Sequence, residues 1–165
     1  MKRIVLMLIL ALGFISLFAQ TGLFDLAYAM PRSVADSLLV SKGFAAKDST
    51  STLLRYFPKD NEFVDAIIVF VEPKSDRLIG WFIKYSPEMS ENNDQFIIRT
   101  ISDMHGEKNH YDEDTDQLIW FLSTTRTVHV VYADDGGLTV LYFDAYFSHL
   151  FDLKSTKDIN PEAKE

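Results

Sequence analysis

The chain has 165 residues, with 16 basic and 24 acidic side chains, a formal charge of −8 and no cysteine. That acidity disfavours nucleic acid and anionic lipid as partners, because no basic cluster offsets it. Without cysteine there is no disulfide, no thiolate-metal framework and no lipid-bearing N-terminal cysteine, so stability must come from a packed core.

The chain opens with "MKRIVLMLILALGFISLFAQ", in which Lys2 and Arg3 precede an uncharged apolar run from Ile4 to Ala19. This is the plan of a secretory signal peptide. A membrane-spanning helix needs about 20 apolar residues; the run is shorter, so removal of residues 1–19 is expected over permanent anchoring. The product would be exported from a bacterial cytoplasm to the periplasm or extracellular space, with no stable membrane insertion. A second cleavage point, after Ala29, fits the small-x-small rule at Ala27-Tyr28-Ala29 but lies beyond Asp25. Cleavage after Ala19 takes away two of the 16 basic residues and none of the 24 acidic ones, moving the formal charge from −8 to −10. What remains fits one domain, residues 20–152.

"LFDLAY" then reads as a short strand leading into a first helix. In "MPRSVADSLLVSKGF", Pro31 suits a first turn, Val34, Leu38 and Leu39 form an apolar stripe, and Gly43 can end the helix in the left-handed conformation. Phe44 would fold back on Leu39. Three strand-like runs follow, at Leu53 to Phe57, Phe63 to Val71 and Leu78 to Tyr85. A second helix is expected in "SENNDQFIIRTISDMHG", with Asn92 or Asn93 as N-cap, Ile97, Ile101 and Met104 on one face and Gly106 as the stop. Three more strands follow it, at Gln117 to Leu122, Thr127 to Tyr132 and Leu138 to Asp144. Both helices end in glycine. With the steps from Gly43 to Gly106 and from Trp81 to Tyr142 of similar length, this order predicts a tandem duplication of a helix-plus-three-strands unit, over 23–86 and 87–145. The expected class is α+β, two helices packed on antiparallel sheet, followed by a flexible polar tail at 153–165.

Turn chemistry suggests the strand registers. A two-residue turn at Lys74-Ser75 puts Val71 opposite Leu78 and Asp65 opposite Lys84, an ordinary surface ion pair. A turn at Asp135-Gly136 puts Val130 opposite Leu141, Val128 opposite Phe143 and His129 opposite Tyr142. A turn at Thr124-Thr125 puts Trp120 opposite His129. Ile119, Phe121, Val128, Val130, Leu141 and Phe143 then form the core face, while Trp120, His129 and Tyr142 form a row on the other, beside Thr127 and Asp144. Amphipathic aromatics beside a histidine make Trp120, His129, Tyr142, Asp144 and Thr127 the candidate partner-binding residues. The competing reading is that the tail, the N-terminal strand or a second sheet covers these aromatics.

"HGEKNHYDEDTDQ" offers His105, His110, Asp112, Asp114 and Asp116 as metal ligands. A helix-loop-helix calcium loop starting at Asp112 would need glycine where Gln117 stands and glutamate where Ser123 stands. Zinc would have two histidines and no thiolate. A solvated connector, whose acids keep the next strand from aggregating, is the simpler account, with weak calcium binding at Asp112, Asp114 and Asp116 as the alternative. Nothing in the sequence signals a catalytic nucleophile, a phosphate-binding glycine loop or a facing carboxylate pair. No cofactor is implied.

"YAMPRSVADSLL" resembles the entry of the repeat unit in the beta-lactamase-inhibitor-protein-like group and in the small outer-membrane assembly lipoproteins similar to it: a turn, a methionine, a polar helix start and a valine. A helix ending in glycine before strands is shared as well. Departures are Ala29 where that group has glycine, the lack of a methionine entry in the second unit, and the absence of cysteine. The resemblance implies protein binding through an exposed sheet face and carries over no individual residue. The leading expectation is therefore a non-catalytic protein-binding module of the cell envelope or extracellular space. The alternatives are small-ligand or divalent-cation binding, and hydrolysis joining His129 and Asp144 to a nucleophile that the sequence does not identify.

Overall fold

The structure is a computed structural model that describes residues 21–151; the expected signal peptide and the polar tail lie outside them. After a short 3-10 turn at Leu23–Asp25 come helix α1 (Arg32–Ser41) and strands β1 (Phe44–Ser49), β2 (Leu53–Pro58), β3 (Val64–Glu72) and β4 (Arg77–Tyr85). Helix α2 (Glu91–His105) is followed by β5 (His110–Asp112), β6 (Gln117–Phe121), β7 (Arg126–Tyr132) and β8 (Leu138–Asp144), then a 3-10 segment at Ala145–Leu150. The described strands form one antiparallel sheet in the order β1-β2-β3-β4-β8-β7-β6-β5. Each helix thus precedes a four-stranded meander, and the two meanders meet at β4 and β8. The six expected strands correspond to β2, β3, β4, β6, β7 and β8. The additional β1 and β5 are the sheet's two edges, and their sequences, "FAAKDS" and "HYD", are polar or short, as edges tend to be.

Both helices stop where glycine permits a positive φ, at Gly43 (89°) and Gly106 (95°). The start of α1 is pinned from outside: the Arg32 N–H donates to the Asp76 carbonyl at 3.0 Å, filling one of the vacancies that every helix start leaves. Its buried side chains are Ala35 and Leu39, whereas Val34 is exposed. In α2 the buried apolar residues are Ile97 and Ile101, each contributing roughly 2 kcal/mol by burial. Met104, expected on that face, is exposed. Ser90, one residue before the helix, is the N-cap in place of Asn92 or Asn93. "LFDLAY" is a 3-10 turn closed by a single bridge between Thr21 and Ala27, not a strand.

The helices cover one face of the sheet. Their core joins Leu39, Phe44, Ile97 and Ile101 to Tyr56, Ile67, Val69, Trp81, Ile83, Trp120, Val128, Val130, Val140 and Tyr142, with Leu26 and Tyr28 from the N-terminal segment. On the opposite face, a smaller cluster of Leu53, Ala66, Ile68, Phe70, Ile79 and Phe82 is capped by Phe147, Leu150 and Phe151. At the junction of the meanders, Trp81 pairs with Tyr142 across β4 and β8. Their rings stack 4.2 Å apart and 14° from parallel.

The β3–β4 pairing matches Val71 with Leu78, as the sequence suggests, but a bulge between Phe70 and Val71 then puts Ala66 opposite Lys84. Lys84 is buried, not on the surface: its ammonium bonds the Asp135 carboxylate and lies 3.9 Å from Asp65. It thereby ties the β7–β8 turn to the first meander. The Lys84 ammonium holds the Asp135 carboxyl below the usual carboxylate range, with the Gly137 N–H adding to it.

Two glycines let chain ends approach the Trp81–Tyr142 pair. A Cβ on Gly22 would overlap the Tyr142 ring, and one on Gly80 would overlap the Tyr142 carbonyl and come within 2.7 Å of Phe151. A carbonyl in a ladder cannot retreat as a flexible side chain can, so Gly80→Ala should cost about 3 kcal/mol in urea unfolding. Gly43→Ala, strained by its positive φ but open to solvent, should cost about 1 kcal/mol. Equal losses would contradict the packing described at the junction.

Candidate functional site

Loop length decides which side chains share a face. The β7–β8 hairpin turns through three residues, Asp134, Asp135 and Gly136: Ala133 N–H donates to the Gly137 carbonyl at 2.9 Å, and Gly136 has φ 86°. This is the three-residue turn with a left-handed last position, not the two-residue turn that Asp-Gly suggests. The β6–β7 hairpin likewise turns through Ser123, Thr124 and Thr125. One extra residue in a turn slips the register by one and sends every side chain of the pair to new company.

Accordingly Val128 pairs with Tyr142, His129 with Leu141 and with Ile119, and Trp120 with Val128. The expected row is divided between the two faces. Trp120 and Tyr142 lie under the helices, 1% and 0% exposed. Trp120 Nε1 donates to the Gly106 carbonyl at 3.0 Å. The Tyr142 hydroxyl accepts the Leu23 N–H at 3.1 Å and meets His105 Nε2 at 3.1 Å. Asp144 is on this side too, bonded to Arg126 Nε at 2.8 Å and capping the final 3-10 segment through the Tyr146 N–H at 3.1 Å. The Arg126 guanidinium rests over the Tyr28 ring.

Thr127 and His129 are on the opposite face, and there they touch. His129 Nδ1 is 3.0 Å from Gln117 Oε1 and Nε2 is 2.8 Å from Thr127 Oγ1. With the Gln117 oxygen as acceptor, Nδ1 donates, and in the neutral ring Nε2 receives the threonine hydroxyl proton. Burial lowers the His129 pKa, opposed by the Asp112 charge, and burial also lowers that of His105. Ile119, Phe121, Leu141 and Phe143, expected in the core, surround His129 on this face; the His129 and Phe143 rings meet edge-on and Phe121 is 67% exposed. Sequence reasoning missed these four because it shortened two loops by a residue each. His129 and Asp144 project from opposite faces, so they form no dyad.

The acidic stretch is turn chemistry. In "DEDTDQ", Asp112 pairs with Gln117 and its carboxylate accepts the Asp114 N–H at 3.1 Å; Asp116 closes the turn at φ 53°. "EPKSDR" does the same: Glu72 pairs with Arg77, accepts the Lys74 and Ser75 N–H groups, and Asp76 has φ 53°. The Thr115 hydroxyl, then the backbone N–H groups of Asp114 and Thr115, hold the Asp112 carboxyl below its usual range. Asp116 accepts the Tyr111 hydroxyl proton at 2.6 Å. His105 turns inward to Tyr142, while His110 is exposed on β5. Among the described residues no three His, Asp or Glu side chains come together as a metal-holding group.

No protein-family model, curated protein or solved structure matches the chain. Among the described residues no helix is long and apolar enough to cross a membrane.

A histidine whose folded pKa is depressed binds fewer protons in the native state than in the unfolded one, so its contribution to stability is complete above the unfolded pKa of about 6.5 and is lost as pH falls. Urea unfolding should therefore show stability falling from about pH 7.5 to 5.5. His129→Gln and His105→Gln should each flatten that dependence. An unchanged slope in both variants would contradict the lowering of these pKa values by burial.

Proposed function

We propose that this is a non-catalytic protein-binding module, exported to the periplasm or the extracellular space, that engages its partner through the face of the second meander opposite the helices. The carrying observation is asymmetric cover: Phe147, Leu150 and Phe151 cap the first meander on that face and reach the second only along β8, where Leu141 joins their cluster and the Phe151 ring meets Phe143 at 4.7 Å, whereas Phe121 on β6 stands exposed beside half-buried Ile119. Flat apolar and aromatic surface around hydrogen-bonded polar groups is what a protein interface uses, since it offers area without enclosing a small molecule.

Export and duplication belong to the same reading. Cleavage after Ala29 would discard Gly22, Leu26 and Tyr28, which pack at the centre of the sheet, so their burial favours the earlier site. The repeated order of helix and meander, with glycine closing both helices and Trp81 meeting Tyr142 at the junction, supports an origin by duplication. It also accords with the resemblance to the beta-lactamase-inhibitor-protein-like group.

The test is capture of partners from an envelope fraction by the chain from Gln20 onward. Phe121→Asp should leave the melting temperature unchanged and weaken capture about thirtyfold, the loss of one interface anchor worth about 2 kcal/mol. Trp120→Ala, by contrast, should destabilise by about 3–5 kcal/mol. Undiminished capture by Phe121→Asp would overturn the assignment of this face.

A further inference from the structure

The helix side of the second meander holds a cavity of about 220 Å³ between α2 and the β5 edge. Its floor is apolar, formed by Leu118, Val130 and Leu138, and Tyr111, Tyr132 and Asp116 also line it. Both tyrosines are about half exposed, so their rings remain accessible at the mouth. Their hydroxyls are already committed: Tyr111 donates to Asp116 at 2.6 Å and Tyr132 to Asp94 at 3.0 Å. A tyrosine whose hydroxyl donates its hydrogen bond to a carboxylate still offers a ligand its ring face and the lone pairs of its oxygen. Among the described residues no lysine, arginine or histidine lines the cavity to neutralise these acids.

We propose that this cavity binds an organic ammonium group carried on a short apolar stem. The stem would lie on Leu118, Val130 and Leu138, and the cation would sit against the tyrosine rings and the Asp116 carboxylate. Cation–ring attraction and the charge of the exposed Asp116 carboxylate at the mouth both select for positive charge, and the acidic chain around them adds the same sign of field. The volume falls short of the about 300 Å³ at which drug-sized pockets begin, which restricts the ligand to a small amine or a single side chain. This site is separate from the partner face, on the other side of the sheet, and does not depend on that reading.

The test uses the chain from Gln20 onward, observed through the NMR signals of the Leu118, Val130 and Leu138 methyl groups. Phenethylammonium chloride and a blocked Gly-Lys-Gly peptide supply the ammonium from a free amine and from a lysine side chain; 2-phenylethanol is the neutral control. At least one ammonium probe should shift these methyls saturably, about tenfold more tightly than the alcohol. Which of the two binds distinguishes a free amine from a partner's lysine. Asp116→Asn keeps both the left-handed backbone, which asparagine tolerates, and the acceptor for Tyr111. It should weaken the ammonium about tenfold at an unchanged melting temperature and leave the alcohol alone. Silence from both ammonium probes, equal affinity for the alcohol, or indifference to Asp116→Asn would overturn the proposal.

Discussion

The seam between β4 and β8 is the constraint on which the other parts depend. Only four register pairs, Trp81 to Lys84 against Thr139 to Tyr142, join the two meanders. Into that short contact the chain puts its stacked Trp81–Tyr142 pair, the Gly22 backbone against one side of it and the Gly80–Phe151 contact on the other face. Both ends of the described chain therefore close on the middle of the sheet. Tyr142 further collects the Leu23 N–H and His105, so the N-terminal turn and the end of α2 are fastened to the same hydroxyl. The buried Lys84, bonded to Asp135, adds an electrostatic tie at the other end of the seam.

Much of the architecture was legible from the sequence because burial patterns are strong there. Gly43 and Gly106 mark helix ends, and six of the strands follow from runs of apolar and β-branched residues. The edge strands were not legible: "FAAKDS" has little apolar character beyond Phe44, and "HYD" is too short to show a period. The larger miss was one of turn geometry. "DDGG" permits either a two-residue or a three-residue turn, and only the left-handed Gly136 at the third position decides it. That one residue, with its counterpart at Ser123 to Thr125, moves Trp120 and Tyr142 into the core and brings Phe121 and Phe143 out beside His129. The face derived from sequence thus placed Trp120 and Tyr142 where the structure has Phe121, Leu141 and Phe143 beside His129.

The acidic stretch teaches a related lesson. A run such as "DEDTDQ" resembles a ligand set when read as composition, yet its first and last acids have local duties. Asp112 caps backbone N–H groups, Asp116 takes the left-handed corner and anchors Tyr111. "EPKSDR" performs the first two of these duties with two acids fewer, so turn chemistry alone accounts for acids at those two positions without a metal ion. The two meanders then differ in what they leave open. The first is capped on its outer face by the C-terminal segment, whereas the second is covered by it only along β8, keeps Phe121 exposed on β6 and, on its inner face, has a cavity between α2 and the β5 edge.

The central claim is that β7 and β8 pair in the register that sends Tyr142 under the helices and His129 to the opposite face. Interstrand backbone NOEs in the isotopically labelled chain report this directly. The account predicts cross-peaks linking Val128 with Tyr142 and Val130 with Val140. Cross-peaks linking His129 with Tyr142 and Val128 with Phe143 would contradict it, and would put Tyr142 on the face of His129.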